Sequence, residues 1–522
     1  MNEIGPERMS AAAASNEALP IASMNVALTA PDGTPPEGAP DWISGVDHPY
    51  LHGNFAPVST EFRADDLPVL GELPNDLSGM YVMNGPNQRY KPNFRYHYYD
   101  GDGMLHALTL KDGKASYACR WIDTRAFLAE GEEKTNIWPG LAGPYDFSLP
   151  YHPIKDNANT DVIFYNGRLL ALWYMAGVPY VIDPATLSTE GPEDFGGKLR
   201  HTLSAHSKVD PNTGELLFFN YGDEAPYMSF GIASATGELV HETPIDIPGP
   251  RSPHDLGITE YYAILHDLPL FHDVELLKRH NRRVLSFHRD IPARFGVVPR
   301  RGGADDIRWF EAEPCYVLHL LNSWEDGDWV VMEGCRQPNP DIFPEPEERG
   351  LGPQLAYRRR VHHLHRWRFN MKSGECREEQ LDDLNTEFPM TNPLFMGRKS
   401  RYTYNQYLPL PRVGSLRGRC QVFDKLVKYD TQSGQRDIWD YGENVMGNEA
   451  PFAPKTGATV DDPEDAGYVV TFTVDTTTWK SEAQIFDASD ITKGPVARVQ
   501  IPRRVPTGFH STWVPGESLW AA

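Results

Sequence analysis

Along most of the chain, a short apolar or alternating run ends at a turn, and the pattern then repeats. ELLFFNYG (215–222), YVLHLL (316–321), WVVMEGC (329–335) and GYVVTFTVD (467–475) are such runs. They are rich in Val, Leu, Phe and Tyr, side chains that fit a pleated, half-buried surface. Between them stand Asp112-Gly113, Asn166-Gly167, Thr213-Gly214, Thr236-Gly237, Ser373-Gly374 and Ser433-Gly434. Pairs of this kind supply the positive φ that tight hairpin turns require. Many hairpins without alternating long helices predict a large all-β sandwich, barrel or propeller. A propeller suits the pattern best, because its innermost strands all converge on one channel.

Two stretches depart from this texture. Residues 1–45 are rich in Ala, Pro, Gly and Ser and lack the apolar surface to fold alone, so they read as a disordered tail. Order is expected to begin near Asp41-Trp42-Ile43, with one folded unit over 46–522. Within 268–283, apolar residues at 270, 271, 274 and 277 have helical spacing and lead into a basic end. The segment predicts a helix packed on the β core. Its sharper reading is a peripheral membrane contact that collects apolar substrate.

Composition narrows the function. The net charge of -23 argues against a nucleic-acid partner, since phosphate binding needs a basic face. The five cysteines (119, 315, 335, 376 and 420) are scattered and form no C-x-x-C pair. That favours a reducing compartment over a disulfide framework. No run of about 18 apolar residues is present, and the N-terminal segment has no signal-peptide core, so the expectation is a cytoplasmic protein. No G-x-S-x-G elbow, Walker A loop or dinucleotide fingerprint occurs.

The histidines are the remaining candidates, because neutral imidazole is a good ligand for iron, copper, nickel and zinc. Spacing alone does not single out a set among the 18. His363 and His365 share one face of an expected strand and could form a metal pair, although a structural face is the simpler reading. His97 and His106 flank Asp100-Gly101-Asp102-Gly103, where the aspartates need be no more than turn formers. Glu387 and Glu449 could be read as an acid/base pair for glycoside hydrolysis.

Longer motifs decide the matter. ELPNDLSGMYVMNGPN, NANTDVIFYNGRLLAL, SAHSKVDPNTGEL, HDLGITEYYAILHDLPL, CYVLHLLNSWEDGD, EFPMTNPLFMGRKSRYTY, NEAPFAP and RVPTGFHSTWV occur in this order between about residues 65 and 514. The chain thereby resembles the carotenoid cleavage oxygenases, a family that includes apocarotenoid-, stilbene- and retinoid-converting enzymes. The resemblance implies a seven-bladed β-propeller with a dome of loops and helices over one face. It implies a non-haem Fe(II) ion on the propeller axis, held by His206, His254, His319 and His510. It implies glutamates behind the rings, here Glu387 and Glu449. A third family glutamate precedes a D-P-x-T-L turn, here Asp183–Leu187. Met175 stands at its place with no carboxylate nearby, a departure expected to fall on His254. A water or a backbone carbonyl would then hold that ring.

The implied activity is O2-dependent cleavage of a C=C bond in a carotenoid or apocarotenoid. Stilbene cleavage is the alternative, and a retinoid isomerohydrolase is a weaker one. From another class, an inactive propeller binding an apolar ligand would be favoured only by Met175.

Overall fold

The computed structural model describes residues 36–520, except 45, 47, 95, 142, 175–176, 273–274, 276–277, 280–284, 341–360 and 410–421. The apolar runs are strands: Leu216–Tyr221, Tyr316–Asp326, Trp329–Gln337 and Gly467–Asp475. At Asp112-Gly113 both residues have positive φ, 52° and 71°, as do Asn166 and Gly167 at 48° and 74°. These two-residue turns match the twist of the strands they join.

Among the described residues the strands form seven antiparallel sheets of four or more strands, and one separate two-stranded ribbon. The seven sheets are the blades of a β-propeller. Blades two to six follow the chain in order. Blade one is closed by a late strand, Ser511–Pro515, which pairs with Gly79–Pro86. Blade seven takes an early strand, Val69–Gly71, at the outer edge beside Pro495–Ile501. The ring is thus sealed at two blades by segments from opposite ends of the fold.

The apolar core lies between blades. Tyr81, Tyr117, Val470 and Phe472 fill the seam of blades one and seven, and Phe295, Val317, Trp367 and Phe369 fill that of blades four and five. A strand in mid-blade is therefore buried on both faces, and Gly79–Pro86 and Met228–Ala233 are buried throughout. Outer strands alternate instead, as in Leu239–Ile245 and Pro495–Ile501. This explains why some runs read as continuous and others as alternating.

One end of the propeller is covered. Ile43, Tyr50, Phe55, Tyr96 and Tyr98 gather with Phe509 in an aromatic cluster, and helix Arg125–Glu133 lies in the same covering region, capped by the Thr124 side chain. Lys155, only 4% exposed, reaches both Asp102 at 2.5 Å and Glu130 at 2.7 Å, tying this helix to the first blade. Asp102 is thus a buried anchor, where the sequence pattern asked only for a turn former.

The segment 268–283 starts differently from the expected helix. Leu270–His272 is a strand, paired with Leu285–Phe287 in the separate ribbon. Arg251 stacks on Phe271, 3.6 Å from the ring centre, and its Nε donates to Asp267. Leu270 and Phe271 are therefore held by strand pairing and stacking, which helical spacing cannot register. Farther on, Glu275, Lys278 and Arg279 are helical as expected, and the other residues of 273–283 lie outside the described residues.

Candidate metal centre

The seven innermost strands each deliver a group to the axis. Asp161 opens Asp161–Tyr165 of blade two, and His206 precedes Lys208–Val209 of blade three. His254 precedes Gly257–Ile258 of blade four, and His319 lies in Tyr316–Asp326 of blade five. Glu387 lies in Thr386–Met390 of blade six, Glu449 precedes Phe452–Pro454 of blade seven, and His510 precedes Ser511–Pro515 of blade one. The ladder breaks register at Val317/Leu320 and at Glu387/Met390, so His319 and Glu387 stand at bulges. Bulges re-aim side chains in this way.

The four sequence-implied histidines come together. One ligand atom from each of His206, His254, His319 and His510 lies within 4.8 Å of the others, and all four residues are buried. Nε2 of His206 and Nε2 of His254 are 3.1 Å apart. The His319 Nδ1–H donates to Glu387 Oε2 at 2.5 Å, and the His510 Nδ1–H donates to Glu449 Oε1 at 2.9 Å. These bonds put the Nδ1 proton on the carboxylate side and leave Nε2 as a lone pair facing the centre. His319 Nε2 is buried without a protein partner. Four convergent imidazoles with one orphaned nitrogen fit a divalent transition metal, and leave coordination positions open beyond the ring.

For His206 and His319 the electrostatics agree with neutral rings. Burial, reinforced by the other imidazoles, pushes His206 and His319 well below the ordinary histidine value. Burial opposes the charged form of His510 as well, but the Glu449 carboxylate outweighs it and raises that ring. Burial pushes Glu387 up to about 7 and raises Glu449. A divalent ion would supply the positive charge that this packed set of carboxylates and imidazoles lacks.

An aromatic wall flanks the rings. Phe388 packs 4.8 Å from His319 and 4.9 Å from His510, with Phe423 behind it at 5.0 Å. Tyr174 lies 5.7 Å from His254, and Tyr99 links it to Phe509. Along the axis, a cavity of about 410 Å³ reaches His206, His319 and His510 and is lined by residues of all seven innermost strands.

Met175, expected at the place of the third glutamate, lies outside the described residues. Its neighbour Tyr174 is the residue whose ring faces His254. Asp161 also stands at the site, its Oδ2 3.7 Å from Nδ1 of His206. Sequence reading passed over it, although it sits inside NANTDVIFY, because nothing in the pattern shows which inner strands share an axis. His363 and His365 are not in the four-histidine group, and the His365 ring packs at a tilt against Trp367, 4.5 Å between centroids. Glu387 and Glu449 each accept a hydrogen bond from an imidazole, that of His319 and that of His510.

Comparison with known proteins agrees with this geometry. A family model described as retinal pigment epithelial membrane protein matches residues 55–515. The chain is 35% identical over 503 residues to carotenoid 9,10(9',10')-cleavage dioxygenase 1 of Phaseolus vulgaris, covering 91% of each chain. It is 30% identical to isoeugenol monooxygenase of Pseudomonas nitroreducens, covering 90% of this chain and 98% of the other. The lignostilbene dioxygenase of Pseudomonas brassicacearum has the same fold, with a TM-score of 0.79 at 30% identity, over 90% of this chain and 99% of that one. With its seven blades and the four histidines its motifs implied, the chain belongs to the retinal pigment epithelial membrane protein family, that of the carotenoid cleavage oxygenases.

Proposed function

We propose that the chain is a non-haem Fe(II) dioxygenase that cleaves a C=C bond of a carotenoid or apocarotenoid to two carbonyl products. The observation that carries this reading is the set of four buried imidazoles from four blades, two of them fixed through Nδ1 by carboxylates. His206, His254, His319 and His510 would hold the ion through their inward nitrogens. Bound there, Fe(II) supplies the binding and activation of O2 that an unactivated alkene needs. The protein's own contribution is positional. Glu387 and Glu449 keep the rings of His319 and His510 in one tautomer and one orientation. Phe388, Phe423 and Tyr174 offer flat apolar faces to a conjugated chain and keep water from the reacting bond.

The test begins with metal content. Purified protein reconstituted anaerobically with Fe(II) is expected to hold about one iron per chain, as a single site requires. Admitting air in the presence of a carotenoid, an apocarotenal or a hydroxystilbene should then bleach one class and yield aldehydes. His206→Ala and His510→Ala should each abolish iron retention and turnover, and His363→Ala should leave both intact. Failure to retain iron in the unaltered protein would sink the reading. The likeness to lignostilbene dioxygenase and to isoeugenol monooxygenase keeps phenolic aryl alkenes as the second substrate class, and bleaching of the hydroxystilbene alone would select it.

A further inference from the structure

We infer that Asp161 is the third carboxylate of the metal centre and acts as a positioning residue for His206. The inference rests on the metal-site reading above and extends it to a residue that neither the motifs nor the comparisons assign.

Three observations carry it. The first is the contact itself. Asp161 Oδ2 accepts the backbone N–H of His206 at 3.2 Å and stands 3.7 Å from Nδ1 of the same residue. Its other oxygen accepts the N–H of Val162 at 2.8 Å, which fixes the carboxylate plane. The second is backbone strain. His206 has φ of 63°, a left-handed conformation that strains a residue bearing a β-carbon. Such a residue persists only where the surroundings hold it, and the bond to Asp161 is a hold on that very peptide.

The third is the order of groups around the ring. Blades one, three, four and five give histidines, and blades two, six and seven give Asp161, Glu387 and Glu449. Each of these carboxylates reaches a histidine of the adjacent blade: blade six to His319, blade seven to His510, blade two to His206. The bonding scheme also repeats. Glu387 Oε2 takes His319 Nδ1 and the N–H of Phe388, itself at φ 54°. Glu449 takes His510 Nδ1 on one oxygen and the N–H of Ser511 on the other. Asp161 likewise serves one backbone N–H and one ring of its neighbour. At 3.7 Å the ring contact is beyond hydrogen-bond length, so the negative charge is what reaches the imidazole. Asp255, next to His254 on blade four, differs: its oxygens go to Leu256, Leu320 and the Lys208 ammonium.

The two roles separate by substitution. Asp161→Asn keeps an oxygen for the His206 N–H and removes the charge, whereas Asp161→Ala removes both. Full-length protein is titrated anaerobically with Fe(II) and, separately, with Co(II), whose visible spectrum reports ligand geometry, against a competing chelator. Supports of this kind are worth roughly 10–100-fold in metal affinity. The expected result is a loss within that range for Asp161→Ala, a smaller loss for Asp161→Asn, and an altered Co(II) spectrum in both, with the wild-type circular dichroism retained. If the alanine variant fails to fold, the near-isosteric asparagine variant decides. Wild-type affinity together with a wild-type Co(II) spectrum in Asp161→Asn overturns the inference. The wild-type titration and His206→Ala separately test the metal reading on which it depends.

Discussion

At the scale of single residues, the molecule keeps several carboxyl groups away from water, and this sets a pH dependence. Asp156 is half-buried, and loss of solvation lifts its pKa from 3.8 to about 7; it accepts N–H bonds from Ala158 and Val178. A carboxyl raised on folding binds its proton more tightly in the native state. The stability this contributes is present in full below the unfolded value and is lost as pH rises through about 7. Asp156→Asn cannot titrate. Its unfolding free energy, measured by denaturant titration from pH 5 to 8, should therefore fall less steeply with pH than that of the unaltered protein. An identical slope in the two proteins would contradict the assignment. The four histidines were legible at this scale because each sits in a motif. Asp161 and Tyr174 were not, since their importance comes from the blades they face.

At the scale of elements, the covering helix depends on a single cation. Lys155 Nζ neutralises Asp102 and Glu130 together, and all three side chains are nearly inaccessible. Removing the cation strands two carboxylates in a dry setting, a situation that costs about 3–5 kcal/mol. Lys155→Met should lower stability by about that amount in chemical denaturation. The triple change Lys155→Met, Asp102→Asn, Glu130→Gln should recover most of the loss, because neutral groups need no counter-charge. A Lys155→Met protein as stable as the wild type would show the triad to be idle. The strands themselves could be read from sequence wherever a run had β-branched or aromatic residues and a Gly-containing turn. The start of the segment at 268–283 could not. Strand Leu270–His272 is set by its pairing partner at Leu285–Phe287 and by Arg251, and a spacing rule registers neither.

At the scale of the whole molecule, closure governs everything else. The seams between blades hold the apolar core, so no blade is complete until its neighbours are present. Strand Ser511–Pro515 is the innermost member of blade one, and His510 directly precedes it. A chain lacking residues 508–522 should lose more than its metal. Its thermal unfolding should become broad and shifted well down, with blades one and two exposed to limited proteolysis. Retention of a sharp wild-type transition with only the metal lost would refute this account of closure. The repeated hairpins made a closed all-β fold legible in the sequence. The number of blades came from the family resemblance, since the strand spacing is too irregular to count.

The same seam also dictates when the four-histidine site can be complete. The four imidazoles are synthesised in the order 206, 254, 319 and 510, and the last emerges long after the first. At ordinary elongation speeds the interval is on the order of tens of seconds. During that time three of the ligands exist without the fourth, and without the strand that brings Glu449 and His510 face to face. A growing polypeptide therefore lacks the complete set of four imidazoles until Ser511–Pro515 has closed blade one.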